Sequence, residues 1–266
     1  MSKYERQQKL LSAIKQKKFV TVKELMAHIQ CSHATLQRDL NFFEERGDIA
    51  RSYGGVSYVG SINKAVMNQK YLMYRKRTVS QMEAKVAIAE AAQHLIEDGD
   101  TLYITHGTTT SQIVPRLDTE KNLVVVTDGL DIILACEKKP NLKALLMGGT
   151  MNFVSMQVEQ DPFIKSELRH INVKKLIMGV GGISETHGVT FYDYASFSLL
   201  RDIVQQVQEI IIVADHTKFG EIALAHFLPL DKISIIVTDD KADPALVESL
   251  RAKGVACILA HVDEKR

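Results

Sequence analysis

Ser32-His33-Ala34-Thr35-Leu36-Gln37-Arg38 is a run whose side chains suit polar recognition. If Ser32 caps a helix, then Ser32, His33, Thr35, Gln37 and Arg38 lie near its N-terminus. Free N–H groups and the helix dipole attract phosphate there. Glutamine can bond adenine through two hydrogen bonds, and arginine can do the same with guanine or hold a phosphate. Asp39 can brace Arg38 or pair with a residue of the preceding helix. Arg51, Tyr53 and Gly54 form a second polar patch. It suits a hairpin lying along a nucleic-acid backbone or in a minor groove.

A second set of residues sits in four loops rich in glycine and hydroxyl groups. They are His106-Gly107-Thr108-Thr109-Thr110, Gly148-Gly149-Thr150, Gly179-Val180-Gly181-Gly182 and Asp215-His216-Thr217-Lys218-Phe219-Gly220. Small residues leave main-chain N–H groups open to a phosphate, and threonine hydroxyls or the Lys218 ammonium add donors. One such loop means little, because glycine and threonine fill ordinary turns after strands. Four in register at strand ends point to a ligand site. Phe191-Tyr192-Asp193-Tyr194 fits a pocket wall or plain packing, and Met147, Met151 and Met156 fit core or pocket wall.

No catalytic residue, metal site or cofactor is expected. Isomerising a sugar phosphate needs a carboxylate base between adjacent carbons. Gly179 to Gly182 contains no acid, although Glu185, Asp193 and Asp215 remain as possible carboxylates. His28, Cys31 and His33 are close in sequence, but they straddle a turn and lack a fourth ligand, so surface roles fit better. Cys31, Cys136 and Cys257 lie far apart without a CxxC, which argues against a disulfide framework.

The elements that must position these groups follow from the hydrophobic pattern. Leu10, Leu11 and Ile14 share a face of a helix over Tyr4–Lys17. Phe19–Val22 interrupts it. Thr21 can cap a helix from Val22 to Gln30, with Glu24 completing a capping box. Ser32 can cap the next, His33–Arg46, which Gly47 ends. Ile49–Val59, with Gly54-Gly55 inside it, reads as a hairpin. Residues 60–82 are polar, basic and weakly patterned. Beyond Glu83, apolar strands alternate with helices. The strands are Leu102–Ile104, Leu123–Val126, Lys143–Met147, Leu176–Gly179, Ile210–Ala214, Ile233–Val237 and Val255–Leu259. The helices are Thr109–Leu117, Leu130–Glu137, Phe163–Ile171, Ala195–Gln206 and Pro244–Ala252. Such alternation predicts a mostly parallel sheet covered on both faces.

Charge supports the same division. The chain has 33 Lys/Arg and 32 Asp/Glu. Residues 1–77 hold 15 of those bases and six of the acids, so the remainder is acidic by eight. A basic segment on an acidic body favours a polyanion for the first part alone. The N-terminus is polar and no apolar run approaches membrane-spanning length, so the cytoplasm is the expected location, with no membrane partner.

Val20-Thr21-Val22-Lys23-Glu24-Leu25, Ser32 to Leu40, Gly47 and Arg51-Ser52-Tyr53-Gly54-Gly55-Val56 together resemble the winged helix-turn-helix of the DeoR family of bacterial regulators. That family typically has Thr-x-Arg-Arg-Asp-Leu in the recognition helix and Arg-x-His-Gly-Gly in the wing. Gln37 replaces the first Arg, and Tyr53 replaces the His. Asp98-Gly99-Asp100, Gly107 to Thr110, Val126-Thr127-Asp128, Gly148-Gly149, Gly179 to Ile183, Gly188-Val189-Thr190 and Ala214 to Gly220 resemble the family's sensor domain. The family is similar in fold to ribose-5-phosphate isomerase. Those isomerases carry an Asp-Gly-Ala-Asp type of strand end that has no counterpart here.

The resemblance implies a DNA-binding regulator of carbohydrate genes, most often a repressor. Residues 1–60 would form the winged helix-turn-helix, 61–82 a linker and 83–266 an α/β effector-sensing domain. Double-stranded operator DNA and a phosphorylated sugar or polyol would be the partners, with a homodimer or homotetramer on the operator. The effector site would comprise Thr108, Thr109, Thr110, Gly149, Gly181 and Lys218. Asp128, standing where the family usually has Asn, would alter which hydroxyls are recognised. Two rivals stay open: a sugar-phosphate-processing enzyme, and a metabolite-binding module whose N-terminal helices dock a protein.

Overall fold

The computed structural model describes residues 3–17, 19–29, 31–45, 48–52, 55–58, 74, 76–159, 171–192 and 197–262. Tyr53, Gly54, the side chain of Arg51, Gly47, Asp193, Tyr194, most of the expected linker and all but Ile171 of the helix expected at Phe163–Ile171 lie outside them. The chain divides into two units, Met1–Met73 and Tyr74–Arg266.

In the first unit, helices α1 (Lys3–Lys17), α2 (Val22–Ile29) and α3 (His33–Glu45) surround a small core. Leu10 and Ile14 of α1, Leu25 and Ile29 of α2, and Leu36, Leu40 and Phe43 of α3 are buried together. Each such side chain removed from water contributes roughly 1.5–3 kcal/mol. Strands β2 (Ile49–Ser52) and β3 (Gly55–Tyr58) form the hairpin. Phe19–Thr21, expected as a mere break between helices, is a third strand, β1, antiparallel to β3. Three residues are too few to show a period of two, so pairing rather than pattern makes this strand.

The second unit is built on a seven-stranded sheet, all of whose neighbouring strands run parallel. Its strands are β4 (Thr101–Ile104), β5 (Leu123–Thr127), β6 (Leu142–Leu146), β9 (Lys175–Met178), β12 (Glu209–Val213), β14 (Ile235–Asp239) and β15 (Ala256–Ala260). The order is β15-β14-β12-β9-β4-β5-β6. Alternate residues serve opposite faces. Leu102 and Ile104 join Ile88, Ala89 and Ala92 of helix α4 (Met82–Ala92) on one side. Tyr103 joins Leu176, Met178, Ile210 and Ile212 on the other. Burial on both faces explains the nearly unbroken apolar strands.

Helices α5 (Leu130–Cys136), α6 (Phe197–Val204) and α7 (Pro244–Ala252) fall where helices were expected. The helix expected at Thr109–Leu117 is instead two 3-10 turns, Thr110–Gln112 and Val114–Arg116. Pro115 has no N–H and its ring crowds the preceding turn, which stops an α-helix from forming there. Two small antiparallel sheets carried no sequence signal. One pairs β7 (Thr150–Asn152) with β8 (Gln157–Glu159). The other orders β10 (Gly182–Ser184), β11 (Gly188–Phe191) and β13 (Ala225–Leu228) side by side. Asp98-Gly99-Asp100 lies at the opposite end of the strands from the glycine loops. There Asp100, fully buried, binds the ammonium groups of Lys174 and Lys175 at 2.7 and 2.8 Å.

Candidate functional site

Each helix of the helix-turn-helix is capped by a side chain at its N-terminus. The Thr21 N–H donates to Glu24 Oε2 at 2.8 Å, and the Glu24 N–H donates to Thr21 Oγ1 at 3.2 Å. The first of these bonds, then those that the Thr21 hydroxyl donates at 2.8 Å and Lys17 Nζ at 3.2 Å, hold the Glu24 carboxyl down at about 2. Ser32 caps α3: its Oγ accepts the Thr35 N–H at 3.3 Å and its carbonyl accepts the Leu36 N–H at 3.0 Å.

Once the helix starts at Ser32, its geometry sorts the side chains. Leu36 and Leu40 turn into the core, whereas Ser32, His33 and Arg38 are exposed and Thr35 and Gln37 are half-buried. Gln37 Nε2 lies 3.4 Å from His33 Nε2, one turn away. Asp39 does not brace Arg38. It is buried and accepts from Arg6 Nε at 2.6 Å and Gln7 Nε2 at 2.8 Å, both on α1. That pairing ties α3 to α1 and leaves the Arg38 side of the helix facing solvent. Among the described residues, no three His, Cys, Asp or Glu side chains gather as a metal site.

In the second unit the chain runs from β4 outward to β5 and β6, then returns to β9 on the other side of β4. The loops after β4 and β9 therefore diverge, and open α/β sheets bind ligands in such a crevice at the carboxyl ends of strands. A cavity of about 140 Å³ opens there. His106 to Thr109 after β4, Gly179 to Gly181 after β9, and Asp215, Thr217 and Lys218 after β12 line it. Tyr74, Arg77, Ser80, Lys85, Ser155, Phe191 and Tyr192 complete its wall.

Two glycines are there because a Cβ has no room. At Gly107, φ is +154° and a Cβ would meet Thr110 Oγ1 at 2.9 Å. At Gly181 a Cβ would lie 2.9 Å from that of Ala223 and 3.0 Å from the Thr190 carbonyl.

The cavity is cationic. Arg77 and Lys218 lie on the ring of Tyr192, 5.2 and 5.7 Å from its centroid, and Lys218 Nζ donates to the Tyr192 hydroxyl at 3.2 Å. Such cation–π contacts hold both long side chains in place. Lys85 is 3% exposed, and its Nζ donates to the carbonyls of Arg77 and, at 2.6 Å, Ser80. Burial lowers its ammonium to about 8; Asp215 opposes that shift, while Lys218 and Arg77 add to it. Asp215 is buried and caps its own turn, accepting from the Thr217 N–H at 3.1 Å and from the Thr217 hydroxyl.

Of the seven residues expected at an effector site, the structure brings Thr108, Thr109, Gly181 and Lys218 into this wall. Thr110, Asp128 and Gly149 do not line it. Thr110 is fully buried and its hydroxyl donates back to the Gly107 carbonyl at 3.0 Å. Gly149 lies in the turn that leads into β7, and of that hairpin Ser155 lines the cavity instead. Asp128 lies behind His106: its Oδ1 accepts the His106 N–H at 2.7 Å, and its Oδ2 is 2.8 Å from His106 Nδ1.

Sequence reasoning missed Arg77 and Lys85. Arg77 counted only as part of a basic linker. Lys85 did leave a signal, since it shares a helical face with Ile88, Ala89 and Ala92, where a lone lysine must find buried partners.

Comparison with known proteins agrees with this two-part construction. Residues 6–61 match the DeoR-like helix-turn-helix domain, and residues 80–240 match the DeoR C terminal sensor domain. The transcriptional regulator IolR of Bacillus subtilis is 34% identical over 84% of this chain and 86% of its own. The regulator GolR of Listeria innocua is 26% identical over 98% of this chain and all of its own. The repressor CsqR of Escherichia coli is 27% identical over 97% and 96%. Among solved structures, ribose 5-phosphate isomerase A of Methanocaldococcus jannaschii superposes with a TM-score of 0.37 at 13% identity, over 51% of this chain and 53% of its own. With a capped recognition helix in one unit and a strand-end cavity in the other, the chain belongs to the DeoR family of helix-turn-helix transcriptional regulators.

Proposed function

We propose that this chain represses carbohydrate genes by holding operator DNA, and that a phosphorylated sugar or polyol in the strand-end cavity changes that hold. The observation that carries the reading is the clustering of Arg77, Lys85 and Lys218 with the small-residue loops after β4, β9 and β12. Cations and open main-chain N–H groups together are what a phosphate requires. Thr108 and Thr109 add hydroxyl and backbone contacts, while Gly181, whose N–H is donated to the Thr190 carbonyl at 2.8 Å, leaves room without a side chain. Thr110 supports the loop from behind.

On the DNA side, Ser32, His33, Thr35, Gln37 and Arg38 meet the major groove, with the wing patch of Arg51, Tyr53 and Gly54 on the backbone. Two copies reading two half-sites make the active form an oligomer. Work on operator DNA places the protein in the cytoplasm; among the described residues, no helix is long and apolar enough to cross a membrane. The site binds rather than turns over its ligand. Asp215, the one carboxylate among the described residues of the wall, is engaged by Thr217.

The ligand also has a path to the DNA. Tyr74, Arg77 and Ser80 follow directly in the chain on the first unit. A ligand gripping Arg77 therefore acts on the segment that leads into the DNA-binding part. It shifts the population only by binding one state more tightly than the other.

The test is binding to the DNA upstream of the chain's own gene. Affinity should fall steeply as salt rises, because phosphate contacts release counterions. A phosphorylated sugar should change that affinity in the natural chain and not in Lys218→Ala. DNA binding that ignores salt would sink the DNA half of the proposal. A ligand response that survives Lys218→Ala would sink the cavity half.

A further inference from the structure

We propose that Ser155, at the tip of the β7–β8 hairpin, reads a hydroxyl of the ligand on the side of the cavity away from Lys218. The inference rests on the cavity being the effector site. Ser155 lines that cavity, and its Oγ is buried without a hydrogen-bond partner among the described residues. Burying an unpaired hydroxyl is costly, so nearly all such groups in folded chains find a partner. Arg77, on the same wall, also carries an unpaired group. Its Nε is buried with no acceptor, while its guanidinium sits over the rings of Tyr74 and Tyr192, 5.9 and 5.2 Å from their centroids. A ligand with an anionic end and a hydroxyl would satisfy both.

The hairpin tip is held in place. Asn152 Oδ1 accepts the N–H groups of Val154 at 2.9 Å and Ser155 at 3.4 Å, which closes the turn. The Met156 carbonyl accepts the Leu130 N–H at 2.9 Å and so ties the tip to the start of α5. Gln157 then pairs with Gly129 through a single antiparallel bridge. Met156 itself stands at φ +55°, a left-handed conformation that costs energy for any residue but glycine. Strained backbone and unpaired buried polar groups gather at binding sites, and here they are on adjacent residues of the cavity's rim.

Position and chemistry together define the ligand. The hairpin meets the chain just after β5, whereas Lys218 follows β12. Two strands, β9 and β4, separate β5 from β12 in the sheet. The two strand ends are therefore roughly 14 Å apart. A phosphate on Lys218 is at one side of the cavity and Ser155 is at the other. Arg77 and Lys218 offer only N–H donors and positive charge, which suit a phosphate. A serine hydroxyl is neutral and both donates and accepts, so it suits a sugar hydroxyl whichever way that group is turned. The ligand class that fits both is a phosphorylated sugar or polyol longer than a three-carbon phosphate, with a hydroxyl far from its phosphate end.

The experiment is calorimetric binding of inorganic phosphate, glycerol 3-phosphate, ribose 5-phosphate and glucose 6-phosphate to the full chain, with urea unfolding of the ligand-free chain beside it. Ser155→Ala should weaken the better-bound of the two sugar phosphates by about three- to tenfold, the scale of one neutral hydrogen bond. It should leave inorganic phosphate and glycerol 3-phosphate within about twofold, since neither reaches across the cavity. Its urea midpoint should stay the same or rise, because the hydroxyl it removes has no partner within the chain. Thr238 Oγ1 is also buried and unpaired, but Thr238 does not line the cavity, so Thr238→Val should leave every affinity unchanged. Lys218→Ala should weaken every ligand. If Lys218→Ala does so and Ser155→Ala changes none of them, the cavity is the effector site and Ser155 does not read the ligand. Equal weakening of inorganic phosphate and the sugar phosphates by Ser155→Ala would put Ser155 at the phosphate, and a lowered urea midpoint would give it a structural role; either overturns the proposal. So does a similar loss in Thr238→Val. If neither sugar phosphate binds the natural chain, or Lys218→Ala has no effect, the reading of the cavity fails and the role of Ser155 falls with it.

Discussion

Each unit buries a carboxylate beside its functional residues, and the two do different work. Asp39 follows Arg38 in the chain, yet it turns inward to Arg6 and Gln7 of α1. Its partner is a permanent cation on another helix, so the pair fixes how α3 sits against α1. Asp128 faces the His106 ring on the neighbouring strand end, and that ring lines a cavity. Burial and residue type are the same in both. What differs is where the partner points: Arg6 faces the framework, and His106 faces a cavity. A buried acid thus ties two helices together in one unit and backs a cavity-lining side chain in the other.

The largest expected effect tests the scaffold side. Asp39→Ala leaves Arg6, whose side chain is 17% exposed, without its charge partner. Losing one member of a buried pair typically costs about 3–5 kcal/mol, and partial exposure of Arg6 puts this pair at about 3 kcal/mol or below. Urea unfolding followed by helical circular dichroism should show the first transition shifted by that amount. Replacing Arg6 and Asp39 together by methionine and leucine should recover most of the loss. If Asp39→Ala costs under about 0.5 kcal/mol, as an ordinary surface change does, Asp39 is no scaffold and the contrast with Asp128 fails.

The next effect lies one residue before Arg38, on the same helix. Gln37 is half-buried and close to His33, which orients its amide. If it reads adenine, Gln37→Ala should cost roughly 1–3 kcal/mol at one base position only. Binding measured across a set of single-base operator variants gives the answer. A loss spread evenly over all sequences would show that Gln37 holds the backbone. In that case direct readout in this unit would rest on Arg38 and its neighbours.

How much of this was legible in the sequence differs between the two regions for a physical reason. The recognition helix is one continuous segment, so Ser32, Thr35, Gln37 and Arg38 could be placed by a cap and a helical repeat. The cavity is assembled from six stretches of chain. The sequence showed which loops follow strands, and this was enough for Thr108, Thr109, Gly181 and Lys218. It could not show which way a side chain turns inside a loop. Thr110 turns back to Gly107, and Asp128 turns to His106, so both look like ligand residues while supporting others. Arg77 and Lys85 come from the segment before the sheet, and no strand-end rule reaches them. The parallel sheet was legible because its strands are apolar on both faces. Strands β7, β8, β10 and β11 were not, because three or four residues of mixed polarity carry no period.

The smallest expected effect concerns Lys85, which belongs to neither carboxylate yet shows how a buried charge can serve a ligand. Its ammonium is lowered to about 8, first by burial, with Lys218 and Arg77 adding to the shift and Asp215 opposing it. The folded chain without ligand therefore holds this proton less tightly than the unfolded chain does. Its stability should rise as pH climbs from about 8 toward the ordinary lysine value near 10.5. Ligand binding runs the other way, since a phosphate beside Lys85 favours the charged form. Affinity for a sugar phosphate should be level below pH 8 and then fall by at most about tenfold per pH unit, about 1.4 kcal/mol. The phosphate is already fully ionised in that range, because its second pKa is near 6. Lys85→Arg keeps its charge throughout and should flatten the profile. A wild-type affinity unchanged between pH 7.5 and 9.5 would mean that the phosphate sits on Arg77 and Lys218 alone. Lys85 would then be a framework cation like Arg6, bonded only to the carbonyls of Arg77 and Ser80.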